Sequence, residues 1–184
     1  MSNRSDGVTV CGDGDRGCAG TVRSRRTPLI RPAARALIVD RQQRVLLFRG
    51  EVPGREPWWF APGGALELDE TYESALVREV MEETGLVVDI ATLLPPVWTR
   101  EFLFTWQGRC ERHLERSFLI RIVTHEVDTS RFEGAESAVN RTYRWWGLDD
   151  ITRSSERFSP VHLGEHLAPL LQGALPDHPV VAGA

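Results

Sequence analysis

Residues 64–86 read GALELDETYESALVREVMEETGL, and Glu79, Glu82 and Glu83 near the end of that stretch decide how the chain is to be understood. No Pro or Gly interrupts the run from Thr71 to Thr84, and Gly85 stands where a helix commonly ends in a left-handed residue. The spacing therefore predicts a helix over these positions. At about 100° per residue, the three glutamates share an arc of roughly 100°, while Val77, Val80, Met81 and Thr84 form a separate, mostly apolar stripe. Such a helix can dock one side on a sheet and hold three carboxylates together beside it. Like charges at these spacings destabilise a helix by roughly 0.2–0.5 kcal/mol per pair. Two readings follow: a solvated acidic face, or a set of hard oxygen ligands whose repulsion a divalent cation such as Mg²⁺ or Mn²⁺ removes. Helix geometry alone does not separate them.

The residues leading into the helix do. Gly63 and Gly64 make a tight turn in which the backbone can approach a ligand, and a main-chain carbonyl is a reasonable oxygen donor. From Gly64 the order is five residues, Glu70, seven residues, then Arg78-Glu79-Val80-x-Glu82-Glu83-x-Gly85-Leu86. This matches the Nudix box, G-x5-E-x7-R-E-U-x-E-E-x-G-U with U aliphatic, at every specified position, and the chain resembles the Nudix hydrolases. The lead-in "WFAPGG" looks like that family's usual approach to the box. More loosely, the resemblance runs from about Ala33 to Leu171.

The resemblance implies an α+β fold in which a mixed β-sheet is sandwiched between helices (α/β/α), with the box as loop–helix–loop. It also implies hydrolysis of a nucleoside diphosphate linked to another moiety, with Mg²⁺ or Mn²⁺. Carried onto this sequence, it makes Glu79, Glu82 and Glu83 metal ligands and the Gly63 carbonyl a further donor. Arg78 would orient the acidic side chains, against the plainer reading of a surface pair with Glu82 worth under about 0.5 kcal/mol. Gly64, Glu70 and Gly85 would support the box. The proton acceptor is Glu82 or Glu83, or a loop acid: Glu136 in "FEGAES", with Glu133 as its neighbour. One departure stands out, since Asp69 occupies a position where many family members have Gly, so the turn there is expected to differ locally.

The rest of the chain sets the frame. Its 184 residues suit one domain, and a net charge of −4 lacks the basic balance of a nucleic-acid binder. All 22 basic residues are Arg, scattered evenly, which points to codon composition more than to phosphate recognition. Cys11, Cys18 and Cys110 show no zinc spacing, no apolar run reaches membrane-spanning length, and no signal peptide is evident, so a cytoplasmic protein acting on a small molecule, with neither nucleic-acid strand nor membrane as partner, is expected. The assembly is left open, a homodimer included. Residues 1–30 are polar and Gly-rich and read as a disordered tail, 31–175 as the Nudix domain and 176–184 as a loose C-terminal tail.

Short apolar runs predict strands at Ala36–Val39, Val45–Phe48, around Trp58, through "LVVDIATLL", and at "YRWWGL". A hairpin is predicted across the "QGRCE" turn, and a closing helix broken by Pro169 near the end. Arg49, Arg55 and Arg100 are candidates to grip phosphates, and Trp59 or its neighbour Trp58 to stack a base, though one of the pair must face the core. The five histidines show no ligand spacing. Two other functions compete: a nucleotide-sensing Nudix-like module without turnover, and an isoprenoid diphosphate isomerase, for which Cys110 in a hairpin turn is poorly placed.

Overall fold

The computed structural model of the chain describes residues 9–10, 28–51, 56–106, 109–131 and 142–183. Its centre is β2 (Leu29–Val39), which pairs in parallel along its whole length with β6 (Arg109–Arg121), from Leu29 opposite Glu111 to Val39 opposite Arg121. β6 in turn pairs antiparallel with β5 (Trp98–Trp106). On its other side β2 turns into β3 (Arg44–Gly50), but the two strands pair only at Val39 and Val45 before they diverge. β3 then takes β7 (Thr142–Gly147) on one edge and β4 (Trp58–Phe60) on the other, and β4 pairs in parallel with β8 (Arg157–Ser159). Two short strands, β1 (Thr9–Val10) and β9 (Val180–Val181), add to the outer edge of β5, giving a mixed sheet of nine strands among the described residues.

Alternation along β2 and β3 sorts side chains into two cores. Ala34, Ala36, Ile38 and Leu46, with Phe118 and Ile120, pack on Ala75, Leu76 and Val80 of α1 (Tyr72–Thr84). Leu37, Val39, Val45 and Leu47 face the opposite way, onto Ile151 of α2 (Leu148–Arg153) and Leu163, Leu167 and Leu170 of α3 (Leu163–Leu171). Burial on both faces explains why "ALIV" and "VLLF" are continuous apolar runs. The expected α+β sandwich is what the chain forms. Among the described residues no helix is long and apolar enough to cross a membrane.

Several local expectations are corrected. "LVVDIATLL" is a loop with one 3-10 turn at Ile90–Thr92, not a strand. The Asp89 carboxylate accepts from the Ala91 amide, Val87 and Ile90 face solvent, and only Leu86, Val88 and Leu93 pack inward. Pro169 lies within α3, which runs on to Leu171. Cys110 belongs to β6 rather than to the turn, whose Gln107 and Gly108 lie outside the described residues. Thr9–Val10 and Val180–Val181 pair with β5, β2 begins at Leu29, and Ala182 is buried. An open strand edge carries unpaired amides and carbonyls, and these short segments cover part of it.

Candidate active site

The divergence of β2 and β3 builds the site. It leaves the edge of β2 around Pro32–Ala36 without a strand partner, and the loop of residues 62–66 fills it. The Ala34 amide donates to the Gly64 carbonyl at 2.9 Å, Ala36 to Pro62 at 2.8 Å, and Leu66 to the Pro32 carbonyl at 3.0 Å. The loop is thereby laid as a strand-like rail between the sheet and α1. Only glycine fits at its centre. Gly63 has φ +126°, and a Cβ there would sit 2.1 Å from the Ala34 carbonyl oxygen, while a Cβ on Gly64 would sit 2.4 Å from Glu79 Oε1.

The helix is placed by its own ends. Thr71 caps α1: its hydroxyl accepts from the Ser74 amide at 3.2 Å, and the Thr71 amide donates to Ser74 Oγ at 3.0 Å. At the other end Gly85 adopts φ 72°, and its amide donates to the Met81 carbonyl at 3.0 Å. The helix seats Ala75, Leu76 and Val80 on the sheet, whereas Val77 and Met81 of the expected stripe are only half-buried, and the acidic arc faces the glycine rail. Glu83 is buried, and its Oε2 accepts from the Gly63 amide at 2.7 Å. Glu79 lies against Gly64. Glu82 is the outermost of the three, with its side chain 49% exposed.

Arg78 ties these parts together. Its Nε and Nη2 donate to the two Glu70 oxygens at 3.0 and 2.9 Å, and Nη2 also reaches the Ala65 carbonyl at 3.1 Å. Nη1 donates to Glu79 Oε1 at 2.9 Å and Glu82 Oε2 at 3.3 Å. This is no loose surface pair, because one planar fork spans the loop and the helix. The hydrogen bonds from Arg78 hold the Glu70 carboxyl below the usual carboxylate range, outweighing its partial burial, and the bond to Glu70 raises the affinity of the guanidinium for its proton. Asp69, at the turn before Glu70, takes φ 62°, so the left-handed geometry that a glycine would supply is kept by an aspartate, which tolerates it.

A second charged group lies on the far side of the rail. Arg35 Nη1 donates to the Gly63 carbonyl, and its Nε donates to Glu115 Oε1 at 2.9 Å. Glu115 also faces Arg100 Nη1 at 3.4 Å, and the same nitrogen donates to Ser159 Oγ at 2.7 Å. Burial pushes the Glu115 carboxyl up, but the guanidinium groups of Arg35 and Arg100 outweigh it and hold it below the usual range.

The structure thus brings together Gly63, Gly64, Glu70, Arg78, Glu79, Glu82 and Glu83, with Gly85 closing the helix. The other described candidates stand apart. Trp59 is corrected: at 5% exposure it is a core side chain, edge-on to Trp146, with its indole N–H on Glu156, and has no open face for a base. Trp58 is the partly exposed member of that pair. Arg49 is paired with Glu51 at 2.7 Å. Arg100 reaches the site through Glu115 and Arg35. Arg55, Glu133 and Glu136 lie outside the described residues. The sequence reading passed over Arg35 and Glu115. For Arg35 the signal was present, a charge between Ala34 and Ala36 in a mostly apolar strand; Glu115 stands among Glu111, Arg112 and Arg116 in β6, where no pattern singles out the one charge that is buried and paired.

The donors beside the rail are carboxylate and carbonyl oxygens, the type that hard divalent cations take. As the side chains stand, no three His, Cys, Asp or Glu groups converge to hold a metal among the described residues, Glu79 and Glu82 being held by Arg78 and Glu83 by the Gly63 amide. The chemistry of the set fits such an ion, and ligation by all three would require Arg78 to give up part of its hold.

Comparison with known proteins agrees with this geometry. The profile of the NUDIX domain matches residues 29–164. A MutT-like protein of Streptomyces ambofaciens is 41% identical over 66 residues, which cover 36% of this chain and 41% of that protein, so the match spans less than half of that relative. Diphosphoinositol polyphosphate phosphohydrolase 3-alpha of Mus musculus is 29% identical over 142 residues, 76% of each chain. Among solved structures, the MutT NUDIX hydrolase from Burkholderia pseudomallei superposes with a TM-score of 0.57 at 22% identity, covering 76% of this chain and 98% of that one, a likeness of fold. With its profile match across most of its length and the box laid between sheet and helix, the chain belongs to the NUDIX family and is a Nudix hydrolase.

Proposed function

We propose that this hydrolase cleaves the diphosphate linkage of a nucleoside diphosphate joined to another moiety: a nucleoside triphosphate, nucleotide sugar, dinucleotide or oxidised nucleotide. The observation that carries the reading is the placement of Glu79 and Glu83, from one turn of α1, on the two glycines of the rail. Glu79, Glu82, Glu83 and the Gly63 carbonyl would hold Mg²⁺ or Mn²⁺, which when bound neutralises phosphate charge and acidifies a coordinated water. The residues of the chain do the rest. Arg78 and Glu70 keep the loop and helix in register, so the carboxylates stay where the anhydride must sit. Glu83, committed to the Gly63 amide, orients the loop, and the exposed Glu82 carboxylate is the acceptor for the proton of the attacking water.

The test is a panel of these compounds, with a diphosphoinositol polyphosphate included because one relative bears that name, assayed for product release with Mg²⁺ or Mn²⁺ and with chelator. Turnover of at least one nucleoside diphosphate derivative, lost with chelator and reduced at least ~100-fold in Glu82→Gln and Glu83→Gln, is expected. Tight nucleotide binding without any turnover would make the chain a sensing module and overturn the reading.

A further inference from the structure

We propose that Arg35, held in place by Glu115, is a positioning residue: its guanidinium sets the direction of the Gly63 carbonyl and so the oxygen that the glycine rail offers to the cation and its substrate. The inference rests on the reaction proposed above but concerns a residue outside the box.

The argument starts from the freedom of the rail. The peptide joining Gly63 to Gly64 has glycine on both sides, so its plane can rotate between orientations that a side chain would forbid. Neighbouring groups are well held. The Gly63 amide is pinned by Glu83 and the Gly64 carbonyl by the Ala34 amide. The Gly63 carbonyl points away from that ladder, and Arg35 Nη1 meets it. Arg35 and Glu83 therefore grip the two polar groups of one glycine with opposite charges, from opposite sides of the rail.

Arg35 could not hold this position alone. It lies on β2 between Ala34 and Ala36, with its side chain only 23% exposed, where a guanidinium needs a counter-charge. Glu115 supplies it at 2.9 Å from the next strand, and is itself held by Arg100, which is anchored to Ser159 at the end of β8. The chain of contacts thus runs from β8 across β5 and β6 to β2 and ends on the rail. A carbonyl oxygen has two lone pairs, so accepting from Arg35 leaves one for a cation or a water.

The experiment compares the full chain with Arg35→Met, Arg35→Lys and Glu115→Gln. Three readouts are taken: the carbonyl ¹³C resonance of Gly63 with the amide ¹⁵N resonance of Gly64, Mn²⁺ affinity without substrate, and kcat and KM on the best substrate of the panel. In Arg35→Met both resonances are expected to move and Mn²⁺ affinity and kcat to fall roughly tenfold or more, with KM changing less; Arg35→Lys restores part of each. Glu115→Gln, which keeps the hydrogen-bond acceptor but removes the charge, should shift the same resonances in the same direction by less. Lower thermal stability in Arg35→Met with wild-type resonances and wild-type Mn²⁺ affinity would show a purely structural ion pair and overturn the proposal. If Arg35→Met fails to fold, the same two readouts in Arg35→Lys and Glu115→Gln decide it. The two readings fail separately: a wild-type chain that turns over nothing overturns the reaction, while the Gly63 resonance and Mn²⁺ affinity still judge Arg35.

Discussion

Replacing Arg78 by lysine keeps the charge and removes the fork. The guanidinium makes contacts to both Glu70 oxygens, the Ala65 carbonyl, Glu79 and Glu82, whereas an ammonium projects one nitrogen and cannot face the loop and the helix together. At least two of these contacts are lost. A hydrogen bond to a charged group contributes about 1.5–3 kcal/mol. The Glu70 and Glu79 side chains are only 13% and 15% exposed, but Arg78 at 24% admits some water to replace what is lost. Discounting each contact to about 1–1.5 kcal/mol puts the loss near 2–3 kcal/mol. Urea denaturation should show this as a lower midpoint with an unchanged slope. Glu70→Gln should cost less in the Arg78→Lys background than in the wild type, with a coupling of about 1 kcal/mol. Turnover should fall about 10–100-fold, because Glu79 and Glu82 lose their shared restraint. A stability loss below about 0.5 kcal/mol together with simple additivity would refute the clamp and return Arg78 to the status of a surface pair.

Two further outcomes follow from backbone and burial. Because Asp69 sits at φ 62°, Asp69→Gly should be neutral to slightly stabilising and Asp69→Val should cost about 1–2 kcal/mol; thermal unfolding checks both, and equal tolerance of Val and Gly would contradict the left-handed assignment. His113, whose burial lowers its pKa from 6.5, and Glu115, held below 4.5, both bind protons less readily folded than unfolded. Stability should therefore be fully present above about pH 6.5, decline as the unfolded histidine takes its proton, and decline again below about 4.5 as the unfolded glutamate does. Urea midpoints between pH 7.5 and 4 read this out. His113→Gln should flatten the upper part of the decline, and an unchanged slope there would remove the histidine from the account.

The box was legible because its contacts are local. Thr71 to Ser74 and Gly85 to Met81 are three or four residues apart, within reach by helix geometry alone, and Arg78 to Glu70 spans only eight residues across the turn that enters the helix. The same logic misread "LVVDIATLL". Its apolar content suits a strand, but Asp89 turns the chain there and Val87 and Ile90 are left in solvent. Trp59 was misjudged for the complementary reason: pattern shows that one tryptophan of the pair faces inward, not which one.

What the sequence by itself determined is the carboxylate helix, the glycines beside it and the family to which they belong, since these depend on spacing within 23 residues, Gly64 to Leu86. Tertiary structure alone decided what the rail rests on. The divergence of β2 from β3, the pairing of Arg35 with Glu115 80 residues away, and the pairing of Thr9–Val10 and Val180–Val181 with β5 all depend on sheet register. No local rule closes loops of that length. They form as both faces of one sheet are buried, an arrangement that covers the apolar side chains and brings the inward charges of Arg35 and Glu115 together.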